Sequence, residues 1–378
     1  MKYLILGAGR MAAGVLFDLL KFGNAEEIFV TDISKQALEE TSKRFNDRRI
    51  SVHQIAADQK DAVCDLMAKA DGALSAVPYD YNVDLTKWAI ENHCHLVDLG
   101  GNNRVVEKQF GLDSNAGKNG VGVVPDCGLA PGMVSVVAVD LLARLPEADT
   151  LEIRVGGLPV DPQPPLNYML VFSVHGLTNE YIEPSVILRD GRITVVPSMT
   201  GIEDLSFPEP FSQLEAFYTS GGTSTLPQTF KEKLKNLDYK TIRYKGHCGI
   251  FKAMIDLDFT SEKMFARGMT RRQAFEQLLL EPLSYTSDDV VLIRLTARSP
   301  HKDLIFEAIE YGDEKNDLTA MMRTTAFPAA IILEMLVDGR IKDRGVLRQE
   351  QAVPAEEFME ALQGRNIRFN RYEKQHAL

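Results

Sequence analysis

Gly7-Ala8-Gly9 and Ala12 fall in the spacing G-x-G-x-x-A. Between a strand and a helix, that spacing lets a backbone approach a pyrophosphate. Gly7 permits the tight turn, Gly9 the close approach, and Ala12 the packing of helix on strand. The start of the helix, at Arg10 and Met11, offers unpaired N–H groups and partial positive charge to phosphate. About twenty residues further on stands Asp32, where a ribose-binding acid is expected. Its carboxylate accepts from a ribose 2′-hydroxyl and repels a 2′-phosphate. Ile33-Ser34 follows it, with no Arg. The pattern predicts a nicotinamide dinucleotide, and NAD over NADP. An ordinary Gly turn is the competing reading.

The elements that must position these residues are legible in the apolar runs. Tyr3–Leu6, Ile28–Thr31, Ile50–Ile55, Gly72–Val77, His95–Leu99 and Gly122–Pro125 have strand length, and helical patterns separate them. Six such strands predict an α/β fold, a Rossmann doubly wound parallel sheet, with ligands beyond the carboxyl ends of its strands. Those ends also hold Asp58, Val77, Pro78, Tyr79, Gly100, Gly101, Asp126 and Cys127. From about 150 to 315 the style changes to alternating strands such as 151–155, 290–295 and 304–309, with a turn at 299–302. This predicts an inserted α+β domain with a mixed or antiparallel sheet. Thr319–Val337 reads as a helix broken at Pro328 that returns to the first domain. The expected division is 1–130 with a return over about 318–352, then an inserted domain at 131–317, then a C-terminal extension at 353–378.

Across 378 residues, the length favours roughly two domains. A net charge of −11 argues against nucleic acid as the main partner. No apolar stretch approaches the ~20 uncharged residues of a membrane span. The first strand begins at once and leaves no room for a signal peptide. Cys64, Cys94, Cys127 and Cys248 are far apart, without a C-x-x-C pair. They read as reduced thiols of a cytoplasmic protein and give no metal site.

Asp126-Cys127-Gly128-Leu129-Ala130-Pro131-Gly132 gives the chain a further signature. Together with Val77-Pro78-Tyr79, Val97–Gly101, Phe172–Tyr181, Tyr218–Pro227, Thr241–His247 and Arg323–Ala326, it resembles the saccharopine dehydrogenase-like family. The likeness runs from residue 7 to about 330. It implies a D-x-G-x-x-P-G loop facing nicotinamide and substrate, and a second domain that binds substrate and joins two subunits as a homodimer. Asp-Cys-Gly-Leu-Ala-Pro-Gly with Tyr-Lys-Gly-His is most similar to the branch that oxidises the ε-amine of L-lysine with NAD, giving a semialdehyde or its cyclic imine and ammonia. Ser220 and Thr223-Ser224 depart from the family, which often has an acidic residue and a Leu-Arg pair there.

Oxidising an amine requires a neutral amine, although a free ε-ammonium has a pKa of ~10.4. Asp126 is the first candidate to take the proton; a turn former or helix cap is the plainer reading. His247 is the second candidate, a shuttle near neutral pH or else a satisfied core histidine. Arg243 suits an α-carboxylate through its bidentate fork, and Glu180 an α-amino group. Tyr79, His175 and Thr225 are candidate substrate contacts, with core or surface packing as the alternative. Asp58, Val77, Pro78, Gly100, Gly101 and Cys127 complete the expected cofactor contacts, Cys127 as a small packing thiol. Two other activities stay open: an imine reductase acting on saccharopine or carboxynorspermidine, and a non-catalytic NAD(H) sensor.

Overall fold

The computed structural model describes residues 1–376 and divides the chain into two compact units. One comprises Met1–Asp140 with Met322–Arg368, the other Leu141–Met321 with the residues from Phe369 onward.

The first unit is built on a seven-stranded parallel sheet. Its spatial order is Gly345–Val346, Gly122–Val124, His95–Asp98, Gly72–Ser75, Lys2–Leu6, Glu27–Asp32, Ile50–Gln54. The central strands read as continuous apolar runs because helices cover both faces. Tyr3, Leu4, Ile5 and Leu6 are fully buried, as are Leu96, Val97, Val123 and Val124. Order reverses between Lys2–Leu6 and Gly72–Ser75, which opens the crevice where such sheets take ligands. The seventh strand, only two residues long, lacked any periodic signal.

The helix at Ala320–Val337 is continuous through Pro328, correcting the expected break. Proline removes one backbone donor, and packing carries the rest. Methyl groups and leucines of this helix fill space left by glycines. A Cβ on Gly14 would come within 2.7 Å of the Ala326 Cβ, and one on Gly122 within 2.5 Å of Leu336 Cδ1. By length and composition this helix could cross a membrane, contrary to the reading of the sequence, yet most of it is buried as a core helix.

The second unit carries a nine-stranded mixed sheet. Its main path is Glu203–Leu205, Leu214–Tyr218, Asn236–Tyr244, Thr150–Pro159, Asp289–Arg298, Lys302–Tyr311, Asn370–Gln375. Ser185–Arg189 joins Asn236–Tyr244, and Arg192–Val196 joins Ser185–Arg189. Asn236–Tyr244 runs parallel to Thr150–Pro159, and the other neighbours on the path are antiparallel. The turn expected at 299–302 closes with Ser299 N donating to Lys302 O at 2.9 Å. The expected extension at 353–378, of which 377–378 lie outside the described residues, is divided between the units. Ala355–Gly364 belongs to the first, and Asn370–Gln375 to the second.

Candidate active site

In the first unit the glycine-rich loop has the expected form. Gly7 adopts φ +103, and a Cβ there would lie 2.9 Å from Ala76 O. Only glycine lets the first strand pass so close to the end of the fourth. Gly9 precedes the Arg10–Lys21 helix without a side-chain cap, and a Cβ on it would meet nothing within 4 Å. The helix start is therefore open and rich in N–H donors, as a pyrophosphate requires. Arg10 is exposed beside it, Met11 half-buried, and Ala12 fully buried. Asp32 ends the second strand. Its two oxygens accept from Ala8 N and Ser34 N, both at 2.7 Å, so its charge is fixed beside the loop. These residues fit a dinucleotide.

Further along the same sheet edge, Asp126 adopts φ 62, a left-handed conformation that Asp tolerates better than most residues. Its side chain lies over Gly100: a Cβ there would fall 2.1 Å from Asp126 Oδ1. The ring of Tyr79 packs on Gly101, 2.8 Å from where a Cβ would stand. Val77 lies near Gly7, its Cγ1 3.4 Å from the same kind of test atom. Pro78 and Asp58 are exposed beyond the ends of their strands. The structure thus brings together Gly7, Val77, Tyr79, Gly100, Gly101 and Asp126 along one edge.

Two residues that were not among the candidate site residues hold this edge. Asp98 is fully buried and accepts from Gly100 N at 2.8 Å, Asp126 N at 3.1 Å and Gln109 Nε2 at 2.7 Å. Burial pushes its pKa up, and these three donors counter the shift. Gln349 donates to Pro125 O at 2.6 Å and also to Asp126 O. The signal for Asp98 was present, an acid inside an apolar strand that must find donors.

Cys127 lies behind this edge, its side chain turned into the core. Its thiol is fully buried against Val124 O at 3.2 Å, its N–H donates to Asp98 O, and burial pushes the thiol's pKa well up. It is a packing residue.

In the second unit, Arg243 projects from the Asn236–Tyr244 strand and is 2% exposed, not a solvated charge. Its Nε donates to Tyr181 Oη at 2.8 Å and its Nη1 to Ile242 O at 2.9 Å. Among the described residues nothing accepts from Nη2. The guanidinium lies 4.5 Å from the Tyr168 ring centroid.

His247 continues the chain of bonds. A carbonyl only accepts, so Nδ1 carries the proton and donates to Leu166 O at 2.8 Å. Nε2 therefore accepts from the Tyr181 hydroxyl at 3.0 Å. Glu215 fixes this corner by accepting from Gly246 N at 3.0 Å and Cys248 N at 2.6 Å, at the start of the His247–Asp256 helix. Burial and the Arg243 charge push the imidazole pKa down to about 3. This corrects the expectation of a proton shuttle: His247 is neutral at physiological pH and orients Tyr181.

Glu180, half-buried on the Val174–Ile182 helix, feels the charge of Arg243 but is pushed up to about 7 by burial. Among the described residues its carboxylate has no hydrogen-bond partner. The backbone at Asn179-Glu180 receives Ser220, whose N–H reaches Glu180 O at 2.9 Å. Thr225 ends the segment that follows, before the Leu226–Phe230 helix. His175 is the second correction in this unit. It is exposed on another face of the helix, with Glu276 at 3.2 Å and Arg272 at 3.3 Å, in a surface charge cluster.

The first unit is thus a dinucleotide-binding fold of the open α/β type, and the second a mixed-sheet unit with a buried arginine centre. The chain matches the model of the saccharopine dehydrogenase NADP binding domain over residues 3–124, and that of the saccharopine dehydrogenase C-terminal domain over 128–367. It belongs to the saccharopine dehydrogenase family. It is 22% identical to the mitochondrial alpha-aminoadipic semialdehyde synthase of Bos taurus, over 92% of this chain and 45% of that protein. It is 24% identical to the saccharopine dehydrogenase [NADP(+), L-glutamate-forming] of Pyricularia oryzae, over 61% of this chain and 53% of that one. The chain therefore spans about half the length of these relatives. Its fold matches a solved apo saccharopine dehydrogenase (L-Glu forming) from Saccharomyces cerevisiae with a TM-score of 0.80, at 17% identity and full coverage of both chains.

Proposed function

We propose that this chain is an NAD-dependent amino-acid dehydrogenase, an L-lysine 6-dehydrogenase, that oxidises the ε-amine of L-lysine to 2-aminoadipate 6-semialdehyde, or its cyclic imine, with release of ammonia. The observation that carries this reading is that Arg243, with Nη2 unused, and Glu180, with its carboxylate unused, lie near enough for each to feel the other's charge. A guanidinium edge and a carboxylate in one neighbourhood suit the α-carboxylate and α-ammonium of an amino acid. The Tyr168 ring and the His247–Tyr181 chain hold the guanidinium in place.

NAD, when bound, supplies the hydride acceptor. Asp126 holds the proton that the ammonium gives up, and a water molecule then replaces the imine nitrogen. The fixed charge of Asp32 supports NAD over NADP. The relatives' names favour a second reading, an NADP-linked saccharopine dehydrogenase. Incubation with NAD or NADP, and with L-lysine or saccharopine, distinguishes the two by absorbance of the reduced cofactor and by ammonia assay. NADH and ammonia formed with lysine support the proposal. Turnover with saccharopine alone, or cofactor binding without turnover, overturns it.

We also propose a homodimer. Arg192–Val196 is a sheet edge with Ile193 and Val195 exposed, and unpaired edges of this kind favour pairing. A monomeric mass in light scattering would reject it.

A further inference from the structure

Hydroxyls buried near the Arg243 strand find partners inside the second unit. Tyr181 Oη accepts from Arg243 Nε at 2.8 Å and donates to His247 Nε2 at 3.0 Å. Thr219 and Thr241 pair at 2.7 Å, and Thr241 also reaches Tyr239 Oη at 3.3 Å. Tyr168 is the exception. It is fully buried, yet its hydroxyl has no hydrogen-bond partner among the described residues. Val171 N–H lies near it, but a donor can serve only the oxygen and leaves the hydroxyl proton without an acceptor. A buried hydroxyl left in this state costs stability and calls for a reason.

The segment that carries Tyr168 is pinned on both sides. His247 Nδ1 donates to Leu166 O at 2.8 Å, and Leu170 N donates to Leu283 O at 2.9 Å. The Tyr168 ring centroid lies 5.6 Å from that of His247 and 4.5 Å from the Arg243 guanidinium. Its hydroxyl is near enough to feel the charges of both Arg243 and Glu180. Two donors are thus idle in one neighbourhood, the Tyr168 hydroxyl and Arg243 Nη2. What they lack is an acceptor, and a ligand carboxylate offers two oxygens. Resting on the amino-acid reading above, we propose that the Tyr168 hydroxyl donates to the α-carboxylate of the bound substrate, beside Arg243 Nη2, as a specificity contact that favours amino acids over plain amines.

L-Norleucine keeps the α-carboxylate and α-ammonium of lysine but has no ε-amine, so its binding does not depend on which amine is oxidised. The test is calorimetric titration of the full chain with L-norleucine in the presence of NAD, for the wild type and for Tyr168→Phe. That variant keeps the ring against Arg243 and deletes only the oxygen. It should bind norleucine at least about tenfold more weakly. Its ligand-free melting temperature should be equal or higher, because the deleted hydroxyl had no partner to lose. With lysine, KM should rise by a similar factor while kcat changes less than about threefold. Equal norleucine affinity in the two proteins, no binding of norleucine by the wild type, or weaker binding together with a lower melting temperature overturns the proposal. Norleucine binding that depends on Tyr168, without turnover of lysine, keeps this contact and overturns the lysine reading instead.

Discussion

Asp126 is held in a left-handed conformation with its carboxylate over Gly100, an arrangement that separates charge from shape. Asn tolerates that backbone equally well, so Asp126→Asn removes the charge and little else. We expect kcat with lysine to fall at least ~100-fold while NAD affinity changes less than about threefold. Near-normal turnover would remove Asp126 from the chemistry. Arg243→Lys keeps a charge but loses the fork and the bond to Tyr181. Steady-state kinetics should show KM for lysine rising at least ~10-fold with a smaller effect on kcat. Asp32→Arg should move the ratio of kcat/KM values toward NADP, because an arginine there would meet the 2′-phosphate. At this scale the sequence told most where chemistry demands a residue type at a fixed offset, as with Gly7, Gly9 and Asp32. It told least where burial decides. His247 beside Gly246 reads as a titratable group, and nothing local reveals the carbonyl of Leu166 or the hydroxyl of Tyr181 that keep it neutral. His175 could have been doubted earlier, since five helical positions place it about 140° around the helix from Glu180.

At the scale of elements, the Ala320–Val337 helix shows how glycines far from any ligand shape the fold. Gly14 faces Ala326 closely enough that an added Cβ would approach within 2.7 Å, with Met322 O at 3.3 Å. Alanine would gain about 1 kcal/mol of helix propensity over glycine at that position. Overpacking costs about 1–3 kcal/mol, and neither an alanine Cβ nor a backbone carbonyl can swing aside. We therefore expect Gly14→Ala to destabilise the protein by on the order of 1 kcal/mol in urea unfolding, and Ala326→Gly to restore part of the loss. A stabilised Gly14→Ala protein would show that the two helices separate easily. The parallel sheet was legible because its strands are apolar on both faces. Gly345–Val346 was not, since two residues carry no periodicity and pair only through Gly122 and Val123 brought from far along the chain. Pro328 misled for the converse reason: a local breaker signal lost to burial of nearly the whole helix.

Across the molecule, stability should carry a pH signature from the buried Asp18–Arg365–Glu334 cluster. Glu334 titrates near 4.5 when unfolded and at about 7 in the fold, raised first by burial and then by Asp18. A carboxyl raised by folding stabilises the native state while protonated. Its contribution is complete below about pH 4.5 and is lost as pH climbs through 7. Unfolding free energy should therefore fall across this window by roughly 2 kcal/mol from this group, and Glu334→Gln should flatten that part of the profile. A profile identical in the two proteins would show that Glu334 is solvated in solution.

The chain passes between the two units three times, at 140–141, 321–322 and 368–369. During synthesis the first unit must wait for Gly345–Val346 and for Arg365, which reaches back to Asp18. The second must wait for Asn370–Gln375 to cover the edge of Lys302–Tyr311. A ribosome-bound chain stalled before residue 345 thus exposes two unfinished sheets, the stage at which chaperones have most to hold.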